Sequence, residues 1–307
     1  MTDFDILGIG HAAYDTFGVV ETMPAVDTAA WIETLDNQGG GAAAQAMVAA
    51  ARLGMRTAFA GIVGNDAEGL YLKEDFEREG VNTEGLYVKE GAVTSKAFVM
   101  VERSSGKRTI FVHPGSMPEL AFNDDLKRLV LRSGMIHLDA TVYHLAYDAA
   151  VFARERGIPV SLDGCETKAG REKTRALIAV TDILIANEGY ARQVTGNEDP
   201  ERALAELAGM GPNLVIATQG KNGSWLVEGG KIKKNPAFDV PVTDTTGAGD
   251  VFHGAFLTAY LRGMSVPGSI RYAGACSALN CMSLGGRRGI PGREVLERFM
   301  ADHAFDI

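Results

Sequence analysis

From residue 124 to residue 284 the chain alternates short apolar runs with longer segments in which apolar residues recur every three or four positions. The short runs predict buried strands, and the longer spacing predicts helices that bury one face. Strands are predicted at 135–139, 158–163, 183–186, 214–218 and 224–227, and helices at 143–156, 171–179, 188–195, 201–208 and 267–284. This alternation predicts an α/β fold: a doubly wound, mostly parallel sheet with helices on both faces.

The first 115 residues add a second kind of pattern. Strands at 4–10 and 57–63 fit the same parallel sheet, and the second leads into a turn and a helix that extends to residue 79. Residues 38–54 are predicted to form a glycine turn followed by another helix. Alternating polar and apolar positions without intervening helices predict a small separate sheet, with Ser104, Ser105 and Gly106 as a hairpin turn. Its strands are expected at 16–21, 29–35, 94–102 and 107–113, within discontinuous segments at about 14–38 and 92–115. No repeat or linker divides the chain, so residues 1–307 are predicted to form a single domain.

Residues 8–13, at the end of the first predicted strand, have the spacing GxGxxA, which suggests a dinucleotide-binding site. That fold needs a helix immediately afterwards to present its N-terminus to pyrophosphate. Residues 14–38 contain Pro24 and short β-like pieces instead of an amphipathic helix. We therefore reject this interpretation.

Composition excludes several classes of function. The net charge of -9 argues against nucleic acid and acidic membranes as partners. No apolar run approaches the length of a membrane span, and the acidic N-terminus does not resemble a secretory signal. The three cysteines lack CxxC spacing, which is typical of reduced thiols in a cytoplasmic protein.

The stretch DTTGAGDVFHG, residues 244–254, carries the clearest chemistry. Gly247, Ala248 and Gly249 open a predicted helix and leave its first N–H groups bare, which favours phosphate binding. Asp250 would repel phosphate, but it makes sense as a base that deprotonates an alcohol attacking that phosphate. The alternative is that Asp244 or Asp250 only caps the helix.

Other candidates lie where strands end, which is where open α/β sheets bind ligands. Asp15 follows the first strand and has two carboxylate oxygens that can accept hydrogen bonds from vicinal hydroxyls. An ordinary turn aspartate is the alternative. His11 and His253 lie near the expected site without a partner at nucleophile or metal spacing, so we interpret both as structural or supporting.

Residues 39–69 and 244–254 resemble, in the right order, the two signatures of the ribokinase-like (PfkB-type) carbohydrate kinases, and the resemblance spans nearly the whole chain. It implies that Asp250 is the catalytic base and that the small sheet is a lid that closes over the sugar. It also implies a sugar site at Asp15, Gly40, Gly41 and Gln45, where Gln45 takes the place of a family asparagine. Arg108 of the lid would reach a substrate hydroxyl or an anionic group; an exposed strand arginine is the alternative.

The same resemblance implies ATP and Mg²⁺. The nucleotide would contact Asn187, Thr218, Gly220, Gly223 and, at the adenine, Asn280. Tyr190 stands where relatives have the acid of Asn-x-x-Glu, so either Glu188 holds magnesium through water or phosphates and water hold the ion. Asp244 and the Thr246 backbone match positions that bind a monovalent cation such as K⁺ in many relatives.

The expected activity is ATP-dependent phosphorylation of a hydroxyl of a small sugar. The segments SGKRTI and GGRRGIP look like those of fructokinase and ketohexokinase relatives, so a ketohexose or related furanose is the first candidate. Ribose, a nucleoside or a ketodeoxy sugar acid is the alternative, as is a sugar-binding regulator with weak catalysis. A nucleoside would need an aromatic slot, for which only Trp31 and Phe17 are candidates. Family analogy suggests a homodimer through the lid.

Overall fold

A computed structural model of the protein describes residues 2–104, 107–165 and 169–303. The strands in these ranges are β1 Ile6–Ile9, β2 Ala13–Val20, β3 Thr34–Gly40, β4 Thr57–Gly64, β5 Asn82–Lys89, β6 Lys96–Glu102, β7 Arg108–His113, β8 Ile136–Asp139, β9 Val160–Gly164, β10 Ile183–Asn187, β11 Leu214–Thr218, β12 Ser224–Glu228 and β13 Lys231–Asn235. The helices are α1 Ala42–Arg52, α2 Ala67–Arg78, α3 Asp124–Leu131, α4 Tyr143–Arg154, α5 Arg171–Ala179, α6 Glu188–Thr195, α7 Pro200–Ala208, α8 Ala248–Leu261, α9 Val266–Cys281 and α10 Arg293–Asp302. None of these helices is long and apolar enough to cross a membrane.

The main sheet has the strand order β13-β12-β11-β10-β9-β8-β1-β4-β5. All neighbouring strands from β11 to β5 run parallel, and β12 and β13 complete the sheet in antiparallel pairing. Alternate residues of a strand point to opposite faces, so Ile6 packs into one core and Leu7 into the other. The first core lies under α1, α2 and α8–α10, and the second under α3–α7. The predicted fold class is therefore confirmed.

A smaller sheet has the order β3-β2-β6-β7. Its inner face packs Phe17, Val99 and Val101 against Leu284 of the main body. The predicted hairpin turn includes residues 105 and 106, which lie outside the described residues. We refer to this sheet as the lid sheet.

Three details differ from the prediction. The piece expected at 29–35 lies instead at β3, because this strand pairs antiparallel with β2 from Val19↔Thr34 to Ala13↔Gly40 and so includes glycines that we expected in a turn. Strands β5 and β13 and helix α10 were not predicted, because their many exposed polar positions hide the periodicity. Helix α3 was not predicted either, although Leu126, Leu129 and Val130 have helical spacing. Residues 240–243 include β-branched side chains that predict an extended strand leading into α8, but they pair with no strand, and the Thr243 N–H bonds to the Cys281 carbonyl at the end of α9.

Candidate active site

The order of strands in the main sheet reverses between β1 and β8. From β1 the chain builds β4 and β5 on one side, and from β8 it builds the rest of the sheet on the other side. Ligands of open α/β sheets bind outside the carboxyl ends of the strands at such a switch point. Asp139 ends β8 there, and its Oδ2 accepts a hydrogen bond from the backbone N–H of His11, just beyond β1, at 3.0 Å. The candidate site therefore lies at the predicted edge of the sheet.

The N-terminus of α8 opens at this edge without a side-chain cap. Helices α2, α3, α6, α7 and α9 each have a polar N-cap residue whose side chain accepts a hydrogen bond from a backbone N–H of the first turn. These N-cap residues are Asp66, Asn123, Asn187, Asp199 and Ser265. At α8 the N-cap is Gly247, in the left-handed region with φ 72°. The N–H groups of Gly249 and Asp250 lie within the first turn, where no helical carbonyl can pair with them. This arrangement can bind an anion.

Asp250 lies in that first turn and is partly exposed. Burial and the nearby Asp163 carboxylate raise the pKa of Asp250 to about 7, although the His253 imidazole acts in the opposite direction. The charges of Asp139 and Asp15 raise this pKa further. A carboxyl group with a pKa near neutrality is suited to taking a proton from an alcohol.

Asp15 projects from β2 towards the same crevice. Its carboxylate lies against the Cα of Gly40, where any side chain would clash with it. Gly41 has a φ of 102° and packs against the His11 carbonyl, so this position also requires glycine. Burial raises the pKa of Asp15 to about 7, opposed by the positive charge of Arg287. The structure thus brings the predicted sugar-site residues Asp15, Gly40 and Gly41 together, with Asp15 close enough to act electrostatically on Asp250.

Gln45 and Arg108 both contact the segment that leads into α8. Gln45 is only 3% exposed, and its Oε1 accepts a hydrogen bond from Arg287 Nε at 3.2 Å. Its Nε2 lies against Gly247 and Gly286, so in this form the amide supports the N-terminus of α8, and a direct contact with sugar stays a prediction. Arg108 is exposed on β7 and donates to Thr245 Oγ1. This contact links the lid sheet to the turn before α8.

The predicted nucleotide residues lie along the next strands. Asn187 and Thr218 are register partners at the ends of β10 and β11. Gly220, with a φ of 54°, faces open space, which permits close approach of a ligand. Gly223 has a different reason to be glycine, because a side chain there would meet the Asn235 carbonyl of β13.

Asn280 lies behind the turn, away from solvent. It is fully buried in α9, and its Nδ2 donates to the Thr246 carbonyl at 3.3 Å. Its Oδ1 has no hydrogen-bond partner among the described residues. The side chain therefore supports the turn before α8 in this conformation, and contact with adenine stays a prediction.

Both oxygens of the Asp244 carboxylate accept hydrogen bonds, and its role as a ligand of a monovalent cation stays a prediction. Oδ1 accepts from the Thr246 N–H at 2.9 Å and from its hydroxyl at 2.8 Å, while Oδ2 accepts from the Gly285 N–H at 3.0 Å. The alternative interpretation, that Asp244 holds the turn, matches these contacts.

The described residues contain no cluster of three or more His, Cys, Asp or Glu side chains suited to a metal ion. Glu188 pairs with Arg192 at 3.2 Å on the surface of α6. Tyr190, in place of the family's acid, is 1% exposed and packs against Gly164 in the core. These residues do not form a site for Mg²⁺ on their own, which favours phosphates and water as its main ligands.

Sequence reasoning missed four residues around Asp250 and Asp15. Asp139 is fully buried and accepts hydrogen bonds from the backbone of His11, Ala43 and Thr141 and from the Thr141 hydroxyl. The other three residues missed are Asp163, His253 (as a charged group) and Arg287. An acidic residue that closes each of the predicted strands 135–139 and 158–163 was a usable signal for Asp139 and Asp163.

Comparisons with known proteins agree with this geometry. The family model for pfkB family carbohydrate kinases matches residues 3–293. A ribokinase from Haemophilus influenzae is 30% identical over 291 residues, covering 89% of this chain and 92% of the relative. A nucleoside kinase from Methanothermobacter thermautotrophicus is 28% identical over 307 residues, covering 99% and 98%. The structure of Arabidopsis thaliana ribokinase complexed with ribose and ATP superposes with a TM-score of 0.84 at 26% identity, covering 98% of this chain and 99% of that one.

Proposed function

The chain belongs to the pfkB family of carbohydrate kinases, and we propose that this ATP-dependent kinase phosphorylates a hydroxyl of a ribofuranose, either free ribose or a ribonucleoside. The observation that carries the reaction is the pairing of Asp250, whose pKa is about 7, with the uncapped N-terminus of α8. A general base and an anion site in the same helical turn are what transfer of a phosphoryl group to an alcohol requires.

In this mechanism the Asp15 carboxylate accepts hydrogen bonds from two vicinal sugar hydroxyls and fixes the sugar beside α8. Asp250 takes the proton of the attacking hydroxyl. The N–H groups of Gly249 and Asp250 stabilise the negative charge that develops on the transferring phosphoryl group, which is where the largest catalytic gain is expected. Mg²⁺ bound with ATP supplies charge neutralisation on the phosphates. Closure of the lid sheet over the sugar excludes water.

The choice of sugar rests on the relatives described above, whose names give ribose and nucleosides, whereas the ketohexose that we expected first has no support among them. The lid aromatics do not decide between ribose and a nucleoside. Phe17 is fully buried in the lid core, and Trp31 is 92% exposed, so neither forms a slot for a base in this conformation. An anionic sugar such as a ketodeoxy sugar acid stays an alternative, because the positive charge of Arg108 lies where the lid sheet contacts the turn before α8 and could pair with a carboxylate.

A coupled assay of ADP release over ribose, ribonucleosides, ketohexoses and a ketodeoxy sugar acid tests the proposal. The highest kcat/KM is expected with ribose or a ribonucleoside. Asp250→Asn should reduce kcat by about 10²–10⁴-fold while the Kd for ATP measured at pH 6, where the Asp250 carboxyl group is largely protonated, stays unchanged in calorimetry, because the carboxylate acts on the sugar. Near-normal turnover in this variant would refute the assigned base. Sugar binding without sugar-dependent ADP release would favour a regulator, and preference for a ketohexose would correct the substrate.

The lid sheet also supports self-association of two copies. Leu35, Phe98 and Phe111 are 62%, 47% and 57% exposed. Phe98 is opposite Phe111 in the register, one residue out of phase with the inward Val99, so these rings lie on the outer face. Such an apolar face favours contact with a second copy of the same sheet. Expected cytoplasmic location and K⁺ dependence remain predictions.

Sedimentation analysis of Phe111→Ser tests this homodimer. A dimer in the wild type and a monomer in the variant are expected, because the change removes apolar area from the outer face of the lid sheet. Val295→Ser, which alters a side chain that is 46% exposed on α10, is the control and should leave the dimer intact. A monomeric wild type would contradict the assignment.

A further inference from the structure

A histidine and an aspartate form a buried pair behind Asp250. His253 lies three residues after Asp250 in α8, about one helical turn away. Its Nε2 is 3.4 Å from Oδ1 of Asp163 near the end of β9. His253 is 3% exposed and Asp163 is 7% exposed. Burying an imidazolium or a carboxylate alone would be costly. At 3.4 Å each of these two groups compensates the charge of the other, so both are expected to be charged.

The surroundings of this pair contain several other titratable groups. From β8, the His137 ring lies 5.1 Å from the His253 ring, and Asp139 is the register partner of Asp163. His137 Nδ1 is 3.2 Å from Ser161 Oγ on β9. From α8 itself comes Asp250.

Further titratable groups near Asp163 are Cys165, beyond β9, and Tyr190 of α6. Helix α1 packs against α8 through alanines, with Ala46 and Ala49 against Gly254. The part of the chain described here thus offers His253 only carboxylates, neutral groups and another histidine.

Resting on the proposed role of Asp250 as the base, we propose that His253 is a positioning residue that acts as a buried imidazolium. Paired with Asp163, it offsets the carboxylates around Asp250 and keeps that base able to lose its proton at neutral pH. His253 touches neither the sugar nor ATP in this proposal. Its effect is electrostatic and passes through one turn of α8.

The protonation tendencies of the groups agree with this arrangement. Burial disfavours a charged imidazole, yet Asp163 and Asp250 overcome it and raise the pKa of His253. Burial likewise disfavours a charged carboxylate, yet His253 overcomes it and lowers the pKa of Asp163. His137 differs, because burial lowers its pKa to about 3 and leaves it neutral. The two neighbouring histidines are therefore matched in burial, but only His253 is expected to carry a charge.

His253→Gln removes the charge while keeping a donor for Asp163. The acid limb of kcat/KM against pH should move up by about one unit, because an opposite charge has been removed close to a carboxyl group. Activity at pH 6 should then fall about tenfold, since each pH unit below the pKa costs one factor of ten. His137→Gln is the matched control and should leave the limb in place. The double variant His253→Gln, Asp163→Asn removes both charges and should return the limb towards the wild-type position.

A purely structural role would not produce this pattern. If His137→Gln moved the limb as much as His253→Gln, or if the double variant stayed as shifted as the single variant, the proposal would be overturned. Unfolding temperatures and the Kd for ATP of each variant show whether the folded state is intact.

Histidine NMR tests the same coupling without turnover, and the wild-type protein suffices if a His253 variant does not fold. The expected result is an imidazolium at His253 and a neutral ring at His137 across neutral pH. Interaction between two titrating groups is reciprocal, so Asp250→Asn should lower the pKa of His253. A neutral His253, or one whose pKa is the same in Asp250→Asn, would refute the proposal. Loss of the proposed base assignment would instead appear as normal turnover of Asp250→Asn, so the two failures are distinguishable.

Discussion

Replacing Gly249 by alanine separates the anion site from the stability of α8. Gly249 lies in the first turn of the helix, and an added Cβ would have no atom within 4 Å. Alanine loses less backbone entropy than glycine in a helix, so the fold should gain about 0.5–1 kcal/mol. For a chain of this size, that gain corresponds to a rise of about 1–2 °C in the unfolding temperature.

Turnover of Gly249→Ala should change in the opposite direction. The open space beside Gly249 is the place that we assign to the transferring phosphoryl group, and a methyl group there would hold the phosphate away from the N–H groups. Loss of one such donor costs about 10²–10³-fold in kcat in other enzymes. The expected variant is therefore more stable and at least about a hundredfold slower.

Gly247→Ala is the contrasting variant. Gly247 has a φ of 72°, and a Cβ there would meet Gln45 Nε2 and the Gly286 backbone. The left-handed conformation alone costs about 1–2 kcal/mol for alanine, so this variant should unfold at lower temperature. Thermal unfolding and ADP release are measured for both variants. Normal turnover of Gly249→Ala would refute the anion site, and a joint loss of stability and turnover would make Gly249 structural.

Three further outcomes follow from the buried charges. Because the pKa values of Asp15 and Asp250 are both about 7, log kcat/KM of the wild type should increase with pH below pH 7 with a slope approaching two. The residual activity of Asp15→Asn should increase with a slope near one. The raised pKa of Asp250 means that the folded state binds the proton more tightly than the unfolded state does. The Asp250 carboxyl group therefore destabilises the fold increasingly as pH rises from 3.8 to about 7. Asp250→Asn should therefore unfold at higher temperature than the wild type at pH 8, and this difference should vanish below about pH 4. Arg287→Gln leaves the buried Asp75 carboxylate with only the exposed Arg78 as a partner and should cost about 1.5–3 kcal/mol in urea unfolding, whereas the exposed neighbour Arg288→Gln should cost less than about 1 kcal/mol.

The fold could be predicted because its signals are local. Apolar runs and helical spacing repeat within each βα unit, and α5 and α6 begin and end at the predicted residues. The turn before α8 could be predicted for the same reason, since Gly247, Gly249 and Asp250 are adjacent in sequence. Strand β3 could not be placed correctly, because its polar residues are fixed by pairing with β2 and not by their own periodicity.

The sequence indicates acidic residues at the ends of two predicted strands, but it does not indicate how they are arranged around Asp250. Asp139 and Asp163 are 24 residues apart, and they meet only because β8 and β9 pair in the register that places them side by side. The direction of a side chain is equally hidden: Gln45 has the amide expected of a sugar ligand, but it points to Arg287. Such contacts depend on packing between elements that are distant in the chain.

The acidic site raises a physical question, because an enzyme with a net charge of -9 must bind an anionic nucleotide. Burial raises the pKa of Asp15, Asp139 and Asp250, so the site carries less negative charge near neutral pH than its carboxyl groups suggest. Asp163 does carry its charge, but it is paired with His253. The same burial that prepares Asp250 to accept a proton thus reduces the repulsion that ATP meets. The affinity for ATP should therefore fall as pH rises through about 7, when Asp15 and Asp250 ionise. An ATP affinity that stays constant in calorimetry across that pH range would contradict this explanation.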